Sequence, residues 1–240
     1  MTVMDWVRST DFQWNGTSRP GPCEPANQDV DRPQLFYILL HGGKVEVSVD
    51  GYRIEPLGPQ TWAAFADLAE RHNGVWGGCW CTWFHLYPDR PERKELGHRE
   101  FKRQLVEEDG AHAALVFDGD VAVAWAEYGP VEELPNIHHR KEWEQGLVRM
   151  PDYRITCLFV DRRYRRKGIA AVAARGALAL IAAAGGGLVE SYPHDLPPGK
   201  KTSASFLYNA TRSMYEQLGF NYQRPKGKGN CVMSKVVPAG

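Results

Sequence analysis

Nowhere do the 240 residues string together the roughly 18 apolar positions that a membrane-crossing helix requires. The opening Met-Thr-Val-Met-Asp-Trp has no basic stretch leading into an apolar one, so no secretory signal is expected and the chain reads as cytoplasmic. Net charge is missing too. The 29 Lys and Arg balance 29 Asp and Glu, so no global field draws the chain to anionic lipid or to nucleic acid, and both are disfavoured as partners. Cysteine is sparse: five residues, at 23, 79, 81, 157 and 231, form an odd and uneven set that argues against a disulfide framework and for a reducing compartment. Metal-ligand spacing is lacking as well. Cys79-Trp80-Cys81 leaves one residue between its thiols and no second pair follows, so no metal is expected although His72 and His85 are near in sequence. There is no internal repeat.

What is present divides the chain in two. Residues 1–43 are rich in Pro, Gly, Asn and Asp and carry no sustained period; they read as an irregular arm, with Trp6, Phe12 and Trp14 able to pin it down and Leu35–Leu40 a short apolar run. Residues 44–240 alternate between strand and helix patterns. Asp50-Gly51 joins expected strands at 44–49 and 52–57, and Asp118-Gly119 joins strands at 112–117 and 121–128. A helix is expected from Gly58-Pro59 to Asn73-Gly74 and another over 92–108. The polar stretch at about 129–152 is too long for a plain turn and reads as a lid or as an insertion with its own short helix. A strand at 154–160, an alanine-rich helix from Gly168 to Gly185, a strand at 188–192, a helix over 205–218 and strands at 220–223 and 231–237 complete an α/β order.

The most informative stretch is Leu158-Phe159-Val160-Asp161-Arg162-Arg163-Tyr164-Arg165-Arg166-Lys167-Gly168-Ile169-Ala170. A strand enters a helix through a turn crowded with cations, and the free N–H groups and positive end of that helix suit a phosphate. Gly168 and Ala170 keep side-chain bulk off the backbone there. A solvated basic turn and a weak nucleic-acid patch are the other readings of the same charges.

Arg165-x-x-Gly168-x-Ala170 between strand and helix, with Leu158-x-Val160 before it and Met214-Tyr215-Glu216-Gln217-Leu218-Gly219-Phe220 after it, resembles the GNAT acyltransferase superfamily. The Trp-rich Cys-x-Cys segment resembles a bacterial subgroup of it. The resemblance implies a mixed, mostly antiparallel sheet whose fourth and fifth family strands splay apart, with helices on both faces. Acetyl-coenzyme A, or another acyl-coenzyme A, would lie in that splay as co-substrate. The backbone of Phe159 and Val160 would meet its pantetheine arm and steady the oxyanion, and Arg165, Arg166, Lys167, Gly168, Ile169 and Ala170 would wrap its pyrophosphate. Tyr215 stands where the family places an acid for the departing thiolate; packing at a helix end is its other reading. Asn209 is offered to the pantetheine amides, although the family's usual asparagine position is Tyr208 here.

The implied reaction is direct acetyl transfer to an amine, without an acyl-enzyme. Glu190 is the first candidate for the base and Glu127 the second, each with a structural carboxylate as its alternative. Trp80, Cys81, Trp83 and Phe84 are candidate walls of an acceptor pocket, while Cys79 and Cys81 also read as buried structural thiols or, less favoured, as acyl carriers. The expected acceptor is a small-molecule amine. A protein amine, or a non-catalytic domain that senses acyl-coenzyme A, remains as the alternative, and a homodimer is possible.

Overall fold

The period-two stretches build one sheet. The computed structural model describes residues 37–41, 44–85, 92–197, 203 and 207–240; residues 1–36, including Trp6, Phe12, Trp14 and Cys23, lie outside the described residues. Residues 34–240 form one unit. Its first strand, β1 (Tyr37–His41), pairs with β2 (Lys44–Val49), so the sheet begins inside the stretch read as an arm.

From β2 the chain passes through Asp50 and Gly51, both at positive φ, into β3 (Tyr52–Pro56). This is the paired left-handed geometry that a two-residue hairpin of Asp-Gly type requires. β4 (His112–Asp118) and β5 (Val121–Pro130) form the second hairpin, and β6 (Tyr153–Val160) lies antiparallel to β5. β7 (Gly187–Ser191) runs parallel to β6, across the helix α4 (Ile169–Ala183) that a parallel connection needs. β8 (Asn221–Lys226) and β9 (Asn230–Val237) close a nine-stranded order β1-β2-β3-β4-β5-β6-β7-β9-β8, mixed and mostly antiparallel as expected.

Helices cover both faces. On one, α4 and α5 (Arg212–Gln217) bury Ile54, Val116, Ala126, Leu158 and Tyr215. Gly176 lets α4 lie close, since a Cβ there would meet Ile54 Cγ2 at 2.8 Å. On the other face, α1 (Trp62–Glu70) and α2 (Glu92–Glu107, broken at Gly97) bury Phe65, Phe101, Leu115, Trp125 and Phe159. The insertion does carry a short helix, α3 (Arg140–Gln145), whose Trp143 packs with Ile137, Tyr192 and Val232.

Three boundaries differ from the sequence reading. α1 starts at Trp62, not near Gly58, because the Thr61 hydroxyl donates to the Pro56 carbonyl and accepts the Gly58 N–H, holding residues 56–61 as a turn. α5 starts at Arg212, so of the helix expected over 205–218 residues 207–211 are non-helical. Thr211 is extended and its hydroxyl caps Met214 N–H, while Ala210 is left-handed. β8 runs through Pro225 to Lys226; proline is tolerated because β8 is the edge strand.

Candidate functional site

β6 and β7 pair only from Tyr153↔Val189 to Ile155↔Ser191. Beyond that point they part. Leu158 N–H is turned away from β5 and is bonded by the Tyr208 carbonyl at 2.6 Å. With a period of two, Val160 presents its N–H and C=O to the same open side, and the Val160 carbonyl does accept from Arg165 Nε at 3.3 Å. Phe159, opposite Trp125, is left with its backbone groups facing β5. The backbone donors at the gap are therefore those of Leu158 and Val160, and Phe159 contributes its ring to the core instead.

A bulge between Ile155 and Cys157 re-phases the strand. Ile155 belongs to the α4 face, and the extra residue, Thr156, turns Cys157 and Phe159 to the α1 face.

Two buried polar atoms stand at this gap without a partner. Tyr215 is fully buried and its hydroxyl makes no hydrogen bond. The Ser191 hydroxyl, which acts on its titration, donates instead to the Ile155 carbonyl at 3.1 Å. Burial raises the phenol well above its ordinary range, so it keeps its proton. Asn209, buried beside Tyr208, donates its Nδ2 to the Tyr192 carbonyl at 3.1 Å and leaves Oδ1 unsatisfied.

The basic turn leads from the gap into α4. Buried Asp161 organises it: the carboxylate accepts from the Arg163 backbone and guanidinium and lies 3.4 Å from His72 Nε2, which together hold it well below the usual carboxylate range. Arg163 is thus committed to structure. Arg162, Arg165, Arg166, Lys167 and Gly168 are exposed. Arg166 and Gly168 have φ of 62° and 77°, and the first N–H groups of α4 have no partner within the helix. Alternating hand in successive residues makes the concave array of N–H groups that holds anions. A Cβ at residue 168 would meet no atom within 4 Å, so the glycine answers to backbone conformation and to what approaches from outside. Arg165 to Ala170 therefore fit a pyrophosphate.

On the α1 side of the gap lies a cavity of about 390 Å³ walled by Trp76, Cys79, Cys81, Trp83, Phe84, Cys157 and Tyr208 among others. Its wall is bent sharply: residues Asn73 to Gly78 all have positive φ, as do Trp80 and Cys81. Left-handed backbone costs roughly 1–2 kcal/mol per L-residue, a strain typical of binding sites. Of the four expected wall residues, Cys81, Trp83 and Phe84 line the cavity. Trp80 does not; it packs into the core against Trp62 and Phe65. Cys81 and Cys157 meet at 2.9 Å, and burial pushes both thiols up, as it does Cys79, away from the thiolate that an acyl carrier needs. Among the described residues no three His, Cys, Asp or Glu side chains converge on a metal position.

A second, polar cavity of about 210 Å³ shares Phe84, His138 and Tyr208 with the first and adds Tyr192, Asn209, Lys226 and Asn230. His138 stacks on Trp83 with ring centroids 4.0 Å apart, and burial and the nearby Lys226 lower its imidazole below the ordinary value. Sequence reasoning missed His138, Tyr208, Cys157 and Lys226. His138-His139 inside the polar insertion was the available signal for the first, and the family's asparagine position the signal for Tyr208; nothing local marks Cys157 or Lys226.

Both expected bases are enclosed. Glu127 is fully buried: Lys102 Nζ donates to its Oε1 at 2.9 Å and Thr156 Oγ1 to its Oε2 at 2.8 Å. The Lys102 ammonium spends its other protons on His85 Nε2 at 2.8 Å and the Cys81 carbonyl at 3.3 Å. His85 is then neutral, with Nδ1–H directed to the Glu133 carbonyl at 3.2 Å, in keeping with a burial that lowers its pKa. Burial alone would raise Glu127, but the Lys102 ammonium beside it brings it down to about 2. Glu190 Oε2 accepts from Trp143 Nε1 at 2.8 Å and from Tyr192 OH at 3.0 Å, clamping α3 onto β7. Neither carboxylate lines either cavity.

The family described as Acetyltransferase (GNAT) matches residues 75–193, a span that holds the gap, the basic turn and most of the aromatic cavity. No curated protein matches the sequence. Among solved structures, the chain is similar to a histone acetyltransferase HPA2 and related acetyltransferase from Corynebacterium glutamicum, at 14% identity and a TM-score of 0.44 over 79% of this chain and 97% of that one. It is also similar to a ribosomal-protein-S18-alanine N-acetyltransferase from Escherichia coli, at 12% and 0.40 over 79% and 96%. A third is a PaiA N-acetyltransferase from Thermoplasma acidophilum in complex with coenzyme A, at 15% and 0.41 over 76% and 98%.

Proposed function

Because the chain belongs to the GNAT acetyltransferase family and is an acyl-coenzyme A-dependent acetyltransferase, we propose that it moves an acetyl group from acetyl-coenzyme A directly onto the amine of a small molecule. The observation that carries this reading is the pair of orphaned atoms, Tyr215 Oη and Asn209 Oδ1, buried where β6 and β7 part. A buried polar group without a partner costs about 1–3 kcal/mol, and a ligand in the gap would satisfy both.

In this reading Arg165 to Ala170 hold the pyrophosphate through backbone N–H groups and local cations. Asn209 Oδ1 accepts from an amide of the pantetheine arm, and Val160, with Leu158 once Tyr208 yields, offers the N–H that steadies the developing oxyanion. The cofactor supplies an acetyl thioester. As the N–C bond forms and the C–S bond breaks, the amine loses one proton. His138, standing where the two cavities meet with a neutral imidazole, accepts it more readily than the enclosed Glu190 or Glu127. Tyr215 donates a hydrogen bond to the departing thiolate. A phenol, at about 10, is a weaker acid than a thiol, at about 8.5, so complete transfer of its proton is uphill and stabilisation of the charge is its contribution.

The test is thiol release from acetyl-coenzyme A with a panel of amines, wild type against Tyr215→Phe. Stimulated release by at least one amine, with kcat reduced about 100-fold in the variant, is expected. No stimulation by any amine despite cofactor binding would count against the reading.

A further inference from the structure

Lys226 is an ammonium buried to 3% exposure with no carboxylate within ion-pair distance among the described residues. It donates to the His138 carbonyl and lies 4.7 Å above the Tyr192 ring. The two acids that act on it are engaged elsewhere. Glu142 accepts from Gly227 N–H at 2.9 Å, and Glu190 accepts from Trp143 and Tyr192. The nearby Arg154 is itself bonded to Tyr192 OH and the Leu134 carbonyl. Burying a cation without a counter-charge is costly, and here burial pulls Lys226 down to about 8.

We propose that the Lys226 lobe binds the carboxylate of the acceptor, and that the acceptor is a free α-amino acid with an aromatic side chain. This rests on the acetyltransferase reading and narrows its substrate. The geometry of the two cavities argues for it. Their shared walls, Phe84, His138 and Tyr208, put a cationic polar lobe beside an aromatic one, at the gap. One α-carbon would send its amine to the gap, its ring between Trp76 and Trp83, and its carboxylate to Lys226, with no carboxylate in either lining to repel it. A chain N-terminus, which carries an amide in place of that carboxylate, leaves Lys226 uncompensated.

Binding of a product analogue tests this without turnover. N-acetyl-L-phenylalanine and its amide would be titrated into the full chain by calorimetry, with Lys226→Met alongside. The expected result is that wild type prefers the acid at least tenfold and that Lys226→Met loses the preference. Equal binding of acid and amide, no binding of either, or a preference that survives in a folded Lys226→Met overturns the proposal. Should the variant fail to fold, the wild-type comparison of acid with amide still decides. Acid-selective binding with no thiol release from phenylalanine upholds the carboxylate site and counts against the catalytic reading alone.

Discussion

At the scale of single residues, Tyr215 ties stability to function with opposite signs. Its hydroxyl is buried and unpaired, so Tyr215→Phe removes an unsatisfied group and keeps the ring packed against Phe220. Without cofactor the variant should be more stable to urea by about 1 kcal/mol, while losing about 100-fold in kcat. A variant less stable than wild type would mean that the hydroxyl has a partner within the fold. For His138, an imidazole lowered from its usual value implies a base that is neutral at pH 7 and protonated only as pH falls further. The kcat/KM profile should therefore decline below neutrality in the wild type, and His138→Gln should be slow and lack that acid limb. A limb that persists in the variant would return the role to another group. Histidine was hidden from sequence reasoning because its use depends on where an insertion folds, whereas Tyr215 announced itself through the residues around it.

Elements repeat the lesson. Hairpins at Asp50-Gly51 and Asp118-Gly119, and the strand-turn-helix from Leu158 to Ala170, were legible because local backbone conformation decides them. The helix expected from residue 205 was not, because Thr211 caps the helix late and Tyr208 gives its carbonyl to Leu158, a contact 50 residues away in sequence. The bulge at Thr156 was equally silent in the sequence, yet it decides which face Cys157 takes. The turn before α4 gives the sharpest element-scale expectation. At φ 77° with open space around a built Cβ, Gly168→Ala costs the fold only backbone strain, about 1 kcal/mol. The thermal stabilisation given by coenzyme A should nevertheless be largely lost, since the added methyl stands where backbone meets phosphate. Full retention of that shift would move the pyrophosphate off this turn.

For the whole molecule, Glu127 is the point through which the α1 face is tied together. Its carboxylate, on β5, binds Lys102 from α2 and Thr156 from the bulge of β6, and Lys102 reaches on to His85 and the Cys81 carbonyl in the cavity wall. The sequence reading saw a possible base; three elements distant in sequence make it a buried ion pair. Because the folded carboxyl titrates at about 2 and its ordinary value is 4.5, its stabilisation is complete above 4.5 and lost as pH falls through that window toward 2. Lys102→Met removes the compensating cation and leaves a buried carboxylate, a change that costs about 3–5 kcal/mol at neutral pH. The carboxyl then titrates far higher, so the variant should regain part of its stability relative to wild type as pH is lowered through the weakly acidic range, where a neutral acid is the better buried species. Urea unfolding of both proteins between pH 7 and 4 measures the gap directly. It should narrow with acid, and a gap constant with pH would show that Lys102 stabilises the fold through packing and not through the charge of Glu127.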